Sequence, residues 1–334
     1  MLFQKIIFPY LKVLNNMKTK TKKLNNPLVS IVTTSYNTDK YIEANIKSVC
    51  NQNYKNFEHI IVDANSTDNT KNILKKYKHL TWISEDDSGQ SEGINKGFSM
   101  VSGDYVIWLN SDDTLTKKSI IRSLEFFKNN SVVDFISSDI NIIDENDKKI
   151  GLVKGEEINI KNILSKNPIK QPSVMFRSKI LNEIGNLDEN LHYTMDREFW
   201  LRIFINGFTM KYVSGVVNAN FRLCPGTKTF DSAPNFRKEW NIVLIKNLHN
   251  KKLLSCVRLK YIKKVIKLNK SSYYLSLMTS FFNNSKKCLA IGNIFKIVYY
   301  NPKILYNLGF YKKIILGILS IKSLRISKYH NESI

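Results

Sequence analysis

The sequence predicts an α/β fold: a mixed, mostly parallel sheet flanked by helices, with a basic helical extension at its C-terminal end. Three observations predict it. Between Leu28 and Leu109, short apolar runs alternate with helical patterns across short turns, the signature of a parallel, doubly wound sheet. Three of those runs end in acid-bearing turns, at Asp63, Asp86-Asp87 and Asp112-Asp113. A parallel sheet sets such turns along one rim, where open α/β sheets bind their ligands. Finally, charge is segregated: a neutral body is flanked by two cationic ends.

The elements follow in order. Leu28–Thr34 is β-branched, bounded by Pro27 and the polar turn Ser35–Asp39, and reads as a buried first strand. Tyr41, Ile42, Ile46, Val49 and Cys50 recur at helical spacing. Phe57–Val62 is the second strand, followed by the turn Asp63–Asp68 and a helix carrying Ile73, Leu74 and Tyr77. Leu80–Ile83 is the third strand. Ile94, Phe98 and Val101 share one side of the next helix, which Ser102-Gly103 stops. Tyr105–Leu109 is a bulky strand ending in Asn110-Ser111-Asp112-Asp113. Adjacent carboxylates there repel and resist desolvation, so a cation or polar ligand would compensate them.

Beyond Asp113 the pattern gives a helix with Ile120, Ile121, Leu124 and Phe127, then strands at Val132–Ser137, Ile140–Ile143 and Ile150–Val153. Pro168–Arg177 is irregular and then extended. Ile180–Ile184 is a short helix ended by Gly185, and Tyr193–Ile205 is a longer one with Asp196 near its start, where the helix dipole favours an anion. Tyr212–Val217 is a strand, Phe221–Lys228 a loop, and Asn235–Leu248 a helix. Leu253–Leu268 and Ile304–Ile326 mix Lys with Ile, Leu and Tyr as amphipathic helices.

The chain of 334 residues has a net charge of +23. Residues 1–27 carry six Lys and no acid; residues 246–334 carry 18 Lys+Arg against one acid, Glu332. Residues 28–245 are therefore neutral overall, which divides the chain into a basic N-terminal extension (1–27), a globular domain (28–245) and a basic helical region (246–334). The cationic ends predict a peripheral position on an anionic membrane surface. Nucleic acid is not expected, because the ends are Lys-rich and lack clustered Arg and aromatic readers. The four cysteines form no CxxC pair, and no run reaches the roughly 18–20 apolar residues of a spanning helix. A cytoplasmic protein at the inner face of the cell membrane is the expectation.

As a set, SIVTTSYN (Ser30–Asn37), VDANSTDNT (Val62–Thr70), ISEDDSGQSEGINKGF (Ile83–Phe98), WLNSDD (Trp108–Asp113) and MDREFWLR (Met195–Arg202) resemble glycosyltransferase family 2. These are inverting enzymes of the GT-A, Rossmann-like fold. QPSVMFR (Gln171–Arg177) and FRLCPGTKT (Phe221–Thr229) are similar to acceptor-side loops of bacterial polysaccharide-type members. The resemblance covers Leu28–Thr229.

The resemblance implies transfer of a sugar from a nucleotide-sugar donor, expected to be a UDP-sugar, to a hydroxyl of a glycan or lipid-linked acceptor. It implies a Mg²⁺ or Mn²⁺ ion held at Asp113, with Asp112 beside it and next to the ribose or sugar. Thr34, Tyr36 and Asp63 match positions that hold base and ribose. Asp86, Gln90 and Lys96 lie where the donor sugar and diphosphate pass, and Arg222 and Lys228 could close over the diphosphate. Asp196 matches the general base. Asn110 stands where members often have Asp, Ala64 where many have Gly, and Cys224 where they usually have His. Two other classes remain open: a sugar nucleotidyltransferase, which calls for a glycine-rich basic loop after the first strand that SYNTDKY lacks, and a non-catalytic nucleotide- or anionic-surface-binding protein, which leaves Asp113 and Asp196 without roles.

Overall fold

A computed structural model describes residues 26–224, 227–228, 233–284 and 286–318. Nearly all of the N-terminal extension expected at 1–27, and the end of the helix expected at Ile304–Ile326, lie outside them. The chain alternates β1 (Val29–Ser35), α1 (Ile42–Cys50), β2 (Phe57–Asp63), α2 (Thr70–Leu74), β3 (Leu80–Ser84), α3 (Gln90–Ser99) and β4 (Tyr105–Trp108). β3, β2, β1 and β4 lie side by side, all parallel. Their carboxyl ends, with the turns at Asp63, Asp86-Asp87 and Asp112-Asp113, therefore share one rim.

The second half is mixed. β5 (Thr114–Leu115) and α4 (Ser119–Asn129) precede β6 (Phe135–Ile143), β7 (Lys149–Val153), α5 (Ile160–Ser165), a single 3₁₀ turn (Gln171–Ser173), β8 (Met175–Arg177) and α6 (Lys179–Ile184). Then come α7 (Met195–Ile205) and β9 (Met210–Arg222). β8 is antiparallel between β4 and β6, β6 runs parallel to β9, and the two-residue β5 pairs antiparallel with the far end of β9. Through β9 the sheet curls so that Arg222 reaches the end of β4. Several boundaries differ from the sequence reading. The two strands expected at 132–143 are one strand, because Ser138 and Asp139 stay paired with β9 although the register shifts at a bulge there. The strand expected at Tyr212–Val217 runs from Met210 to Arg222, so Phe221 and Arg222 are strand rather than loop. α7 begins at Met195, two residues later than expected, because Tyr193 and Thr194 give their N–H groups to Glu239.

α8 (Ala233–Lys246), α9 (Lys251–Cys256), α10 (Leu259–Asn283), α11 (Lys287–Tyr300) and α12 (Leu308–Ile318) complete the described chain. α11 was not legible as a helix, since Lys286, Lys287 and Lys296 interrupt its apolar residues. The main core joins β4, α3, α5, α7, α8 and α10 around Trp108, Phe176, Phe199 and Trp200, each of which contributes about 1.5–3 kcal/mol on burial. A smaller core around Met278, Phe282, Ala290, Ile297 and Phe310 ties α10, α11 and α12 together. α3 lies hard against β1: a Cβ on Gly97 would come 2.4 Å from Val32 Cγ1, so only glycine allows that approach.

Candidate active site

The rim is built from short turns that clamp one another. After β1, Asn37 takes φ +51°, and its Oδ1 accepts from Thr67 N at 2.9 Å in the turn after β2. Asp63, at the end of β2, is fully buried. It accepts from Ser35 Oγ at 2.8 Å, Ser84 Oγ at 2.7 Å, and Ser66 N and Oγ at 3.0 and 2.5 Å. Three strand ends are thus tied to one carboxylate. Thr34 lies just inside the rim, and Tyr36 stands out from it with 63% of its surface exposed.

The pair after β3 divides. Asp86 is exposed, and its Oδ1 accepts from Asn65 Nδ2 at 3.1 Å. Asp87 turns inward: a Cβ on Gly93 would meet Asp87 Oδ2 at 2.9 Å and Thr34 Cγ2 at 3.2 Å. Burial raises its pKa, opposed by the Gly89 N–H. Asp87 rather than Asp86 therefore faces Thr34, and Gly93 is the signal in the sequence that this carboxylate needs room. Lys96 pairs with Glu85 at 2.9 Å and Glu92 at 2.8 Å, and donates to Asp86 O. Its ammonium holds the β3–α3 turn rather than standing alone toward a donor.

Gln90 opens α3. Its Nε2 donates to Asn110 Oδ1 at 3.2 Å, and its Oε1 accepts from Lys228 Nζ at 2.9 Å. Lys228 also donates to His192 O at 3.1 Å. Asn110 Oδ1 further accepts from Trp108 Nε1, and Asn110 Nδ2 donates to Gln171 Oε1 at 3.2 Å. A carboxylate at 110 could not make that last bond, which accounts for the amide here.

Asp113 is completely buried in the turn between β4 and β5. Arg222 N donates to its Oδ1 at 2.9 Å, while Oδ2 has no hydrogen-bond partner. Burial first, and then the adjacent Asp112 charge, push its pKa well above the ordinary carboxylate value. Burial raises Asp112 as well, with Arg222 opposing. An orphaned buried carboxylate oxygen beside a second acid is what a divalent cation would complete. The residues present fit such an ion.

Arg222 differs from expectation. Its side chain is 1% exposed, its Nε donates to Asp112 O at 2.8 Å, and its remaining nitrogens bond Asp144 O at 2.7 Å and Asp147 Oδ1 at 2.5 Å. It also lies 4.6 Å over the Tyr41 ring. These contacts fix the Asp112-Asp113 turn and leave the guanidinium no path to a diphosphate. Cys224 is buried, with Sγ 3.4 Å from the Oη of the same tyrosine.

Asp196 sits in the first turn of α7. Burial raises its pKa; the Arg197 N–H and charge, and Asn167 Nδ2 at 3.5 Å from Oδ2, act the other way. Glu198, two residues on, is engaged by Arg202 at 2.8 Å. The segment 167–171 connects the two carboxylate centres: Asn167 touches Asp196, and Gln171 touches Asn110. Four residue steps span at most about 14 Å, so one short segment touches both Asp196 and the residue that opens the Asp112-Asp113 turn. Ser91 Oγ donates to Leu191 O at 2.8 Å, and Asn95 Nδ2 to Leu187 O at 3.1 Å, which docks the loop before α7 on α3.

Glu239, on α8, escaped sequence reasoning. Its carboxylate accepts from His192 N at 2.8 Å, Tyr193 N at 2.8 Å, Thr194 N at 2.6 Å and Thr194 Oγ1 at 2.8 Å. It thereby closes the start of the helix that carries Asp196. A cap supplied from 45 residues away leaves no local pattern.

A curled α/β sheet with an acidic turn beyond β4 and a further carboxylate in the first turn of α7 is the arrangement of a GT-A transferase. Residues 30–185 match the family described as Glycosyl transferase family 2. An uncharacterized glycosyltransferase of Methanocaldococcus jannaschii is 31% identical over 56% of this chain and 68% of its own. TuaG, a glycosyltransferase assigned to teichuronic acid biosynthesis in Bacillus subtilis, is 29% identical over 72% of this chain and 97% of its own. The crystal structure of Staphylococcus aureus TarS residues 1–349 with UDP-GlcNAc superposes with a TM-score of 0.59 at 18% identity, covering 86% of this chain and 88% of that one. The chain belongs to glycosyltransferase family 2: it is a glycosyltransferase with the GT-A fold and a helical C-terminal part. Among the described residues, no helix is long and apolar enough to cross a membrane.

Proposed function

We propose that this enzyme transfers a sugar, with inversion, from a UDP-sugar to a hydroxyl of a glycan or lipid-linked acceptor in cell-surface polysaccharide synthesis, on an anionic membrane surface. The orphaned oxygen of Asp113 beside Asp112 carries this reading, because it marks where the donor's charge is met. Tyr36 offers a face for the base, with Thr34 beside it. Asp63 exchanges one serine hydroxyl for a ribose hydroxyl. Gln90 and the start of α3 border the diphosphate, with Asp86 and Lys96 shaping that turn, and Arg222 acts on the donor only through Asp113. Asp113 and Asp112 would hold Mg²⁺ or Mn²⁺, which neutralises charge on the departing diphosphate.

Asp196 accepts the proton of the acceptor hydroxyl. The acceptor oxygen forms its bond to the anomeric carbon as the bond to the diphosphate oxygen breaks, and the electron pair leaves with the diphosphate. Burial that raises the Asp196 pKa makes it a better base than an exposed carboxylate. The relative assigned to teichuronic acid biosynthesis and the structure holding UDP-GlcNAc support the polysaccharide and UDP choices.

The experiment is a panel of nucleotide sugars, scored for hydrolysis and thermal shift with and without Mn²⁺. A UDP-sugar should give both, and Asp113→Asn should remove the Mn²⁺-dependent shift and lower turnover about 100-fold or more. An Asp113→Asn protein that retains both would sink the assignment.

A further inference from the structure

The C-terminal helices carry an apolar surface turned the wrong way for a soluble domain. On α11, Ala290, Asn293 and Ile297 face the small core. Ile291, Phe295 and Tyr299 recur four residues apart on the opposite side, and Phe295 and Tyr299 are 77% and 78% exposed. On α12 the same division holds. Phe310 is buried, whereas Leu308, Tyr311 and Ile315 are exposed, Leu308 at 86%. Scattered exposed apolar residues need no explanation, but stripes on two successive helices do.

The charge around the stripe selects its occupant. From Trp240 to Asn331 the chain has no acid, and Lys296, Lys303 and Lys312 are exposed on these helices and the turn between them. A second copy would bring two cationic faces together. Both ends of the chain outside the described residues are also cationic, so they would be repelled from this face. An anionic lipid surface meets both properties: headgroups for the lysines, acyl chains for the stripe.

We infer that the exposed stripes Ile291, Phe295 and Tyr299 of α11 and Leu308, Tyr311 and Ile315 of α12 insert into the interfacial layer of an anionic bilayer. This rests on the membrane-surface reading above and deepens it: adsorption by charge becomes shallow insertion at a defined face. That face is built into the enzyme. Asn269 Nδ2 of α10 donates to Arg237 O of α8 at 3.0 Å, and α8 carries the Glu239 that holds the start of α7. The inserted helices are thereby carried on the scaffold that presents Asp196.

The test compares the full chain with a Phe295→Ser, Tyr299→Ser, Leu308→Ser variant, by sedimentation with vesicles of phosphatidylcholine alone or mixed with phosphatidylglycerol. These residues are exposed, so the variant should keep its helical content and its donor hydrolysis. Expected is binding of the natural chain to the mixed vesicles, and a loss of about tenfold or more in the variant. A Phe295→Trp protein should be quenched by brominated lipid only in mixed vesicles. If the triple variant binds mixed vesicles as tightly as the natural chain, charge alone suffices and insertion is overturned. If the natural chain binds no vesicles but self-associates through Phe295 and Tyr299, the face is a protein interface and the inference is wrong. Donor hydrolysis, read without vesicles, reports separately on the transferase assignment.

Discussion

Single carboxylates in this enzyme are distinguished by what surrounds them. Asp63 is buried and satisfied by serines, Asp113 is buried and half satisfied, and Asp196 is half-buried at a helix start, held by the Arg197 N–H and a long contact to Asn167. Only the last two have capacity left for chemistry. For Asp196 the sign of the pH effect is determined. The base must be ionised, and burial raises its pKa, so kcat/KM should fall on acidification at a pH above the ordinary carboxylate range. Asp196→Asn should lower kcat about 10²- to 10⁴-fold and abolish that acid limb. A pH–rate profile of transfer checks this, and an unchanged limb in Asp196→Asn would assign the base elsewhere. The residue types at these positions were legible in the sequence. Which acid of each pair turns inward was not, because Asp86 and Asp87 differ only in their relation to Gly93 and Thr34.

At the scale of elements, local pattern located β1 to β4 and their helices closely, because short parallel strands buried on both faces read as continuous apolar runs. It missed α11, split β6 and shortened β9, because a bulge and a long, partly polar strand carry no strong local period. The start of α7 was also misplaced, since its cap comes from α8. That cap makes a prediction. Glu239→Gln removes the charge that gathers three backbone N–H groups, so α7 should shift and take Asp196 with it. Turnover should fall about ten- to 100-fold while donor KM stays within about twofold, because the donor turns at Asp63 and Asp113 are untouched. Steady-state kinetics with thermal melting separates this from unfolding; equal loss in kcat and rise in donor KM would argue against a positioning role.

For the molecule as a whole, one buried group makes stability depend on pH. His59 lies inside the sheet, with Nε2 3.1 Å from Thr33 Oγ1 and Nδ1 unpartnered. Burial, with His79 nearby, lowers its pKa to about 3. The unfolded chain titrates near 6.5, so between those values it binds a proton that the folded chain does not. The His59 contribution to stability is therefore full above about pH 6.5 and is lost as the pH falls toward 3, at about 1.4 kcal/mol per unit, while the raised carboxyls of Asp112, Asp113 and Asp196 act with the opposite sign. In denaturant melts at neutral pH and at about pH 5.5, the natural chain should lose stability on acidification more steeply than His59→Gln. An equal slope in the variant would place the sensitivity elsewhere.

What the sequence determined by itself was the order of β1 to β4 and their helices, the acidic rim, the family and the cationic C-terminal part, because each is written in neighbouring residues. What only the tertiary structure decided was which groups are already occupied. Arg222 and Lys96 are held by protein acceptors, Asp113 has one oxygen to spare, Glu239 supports α7 from another helix, and Phe295 and Tyr299 point away from their own core. Occupancy of this kind depends on contacts between residues tens of positions apart, and burial sets its energy. A linear pattern records neither.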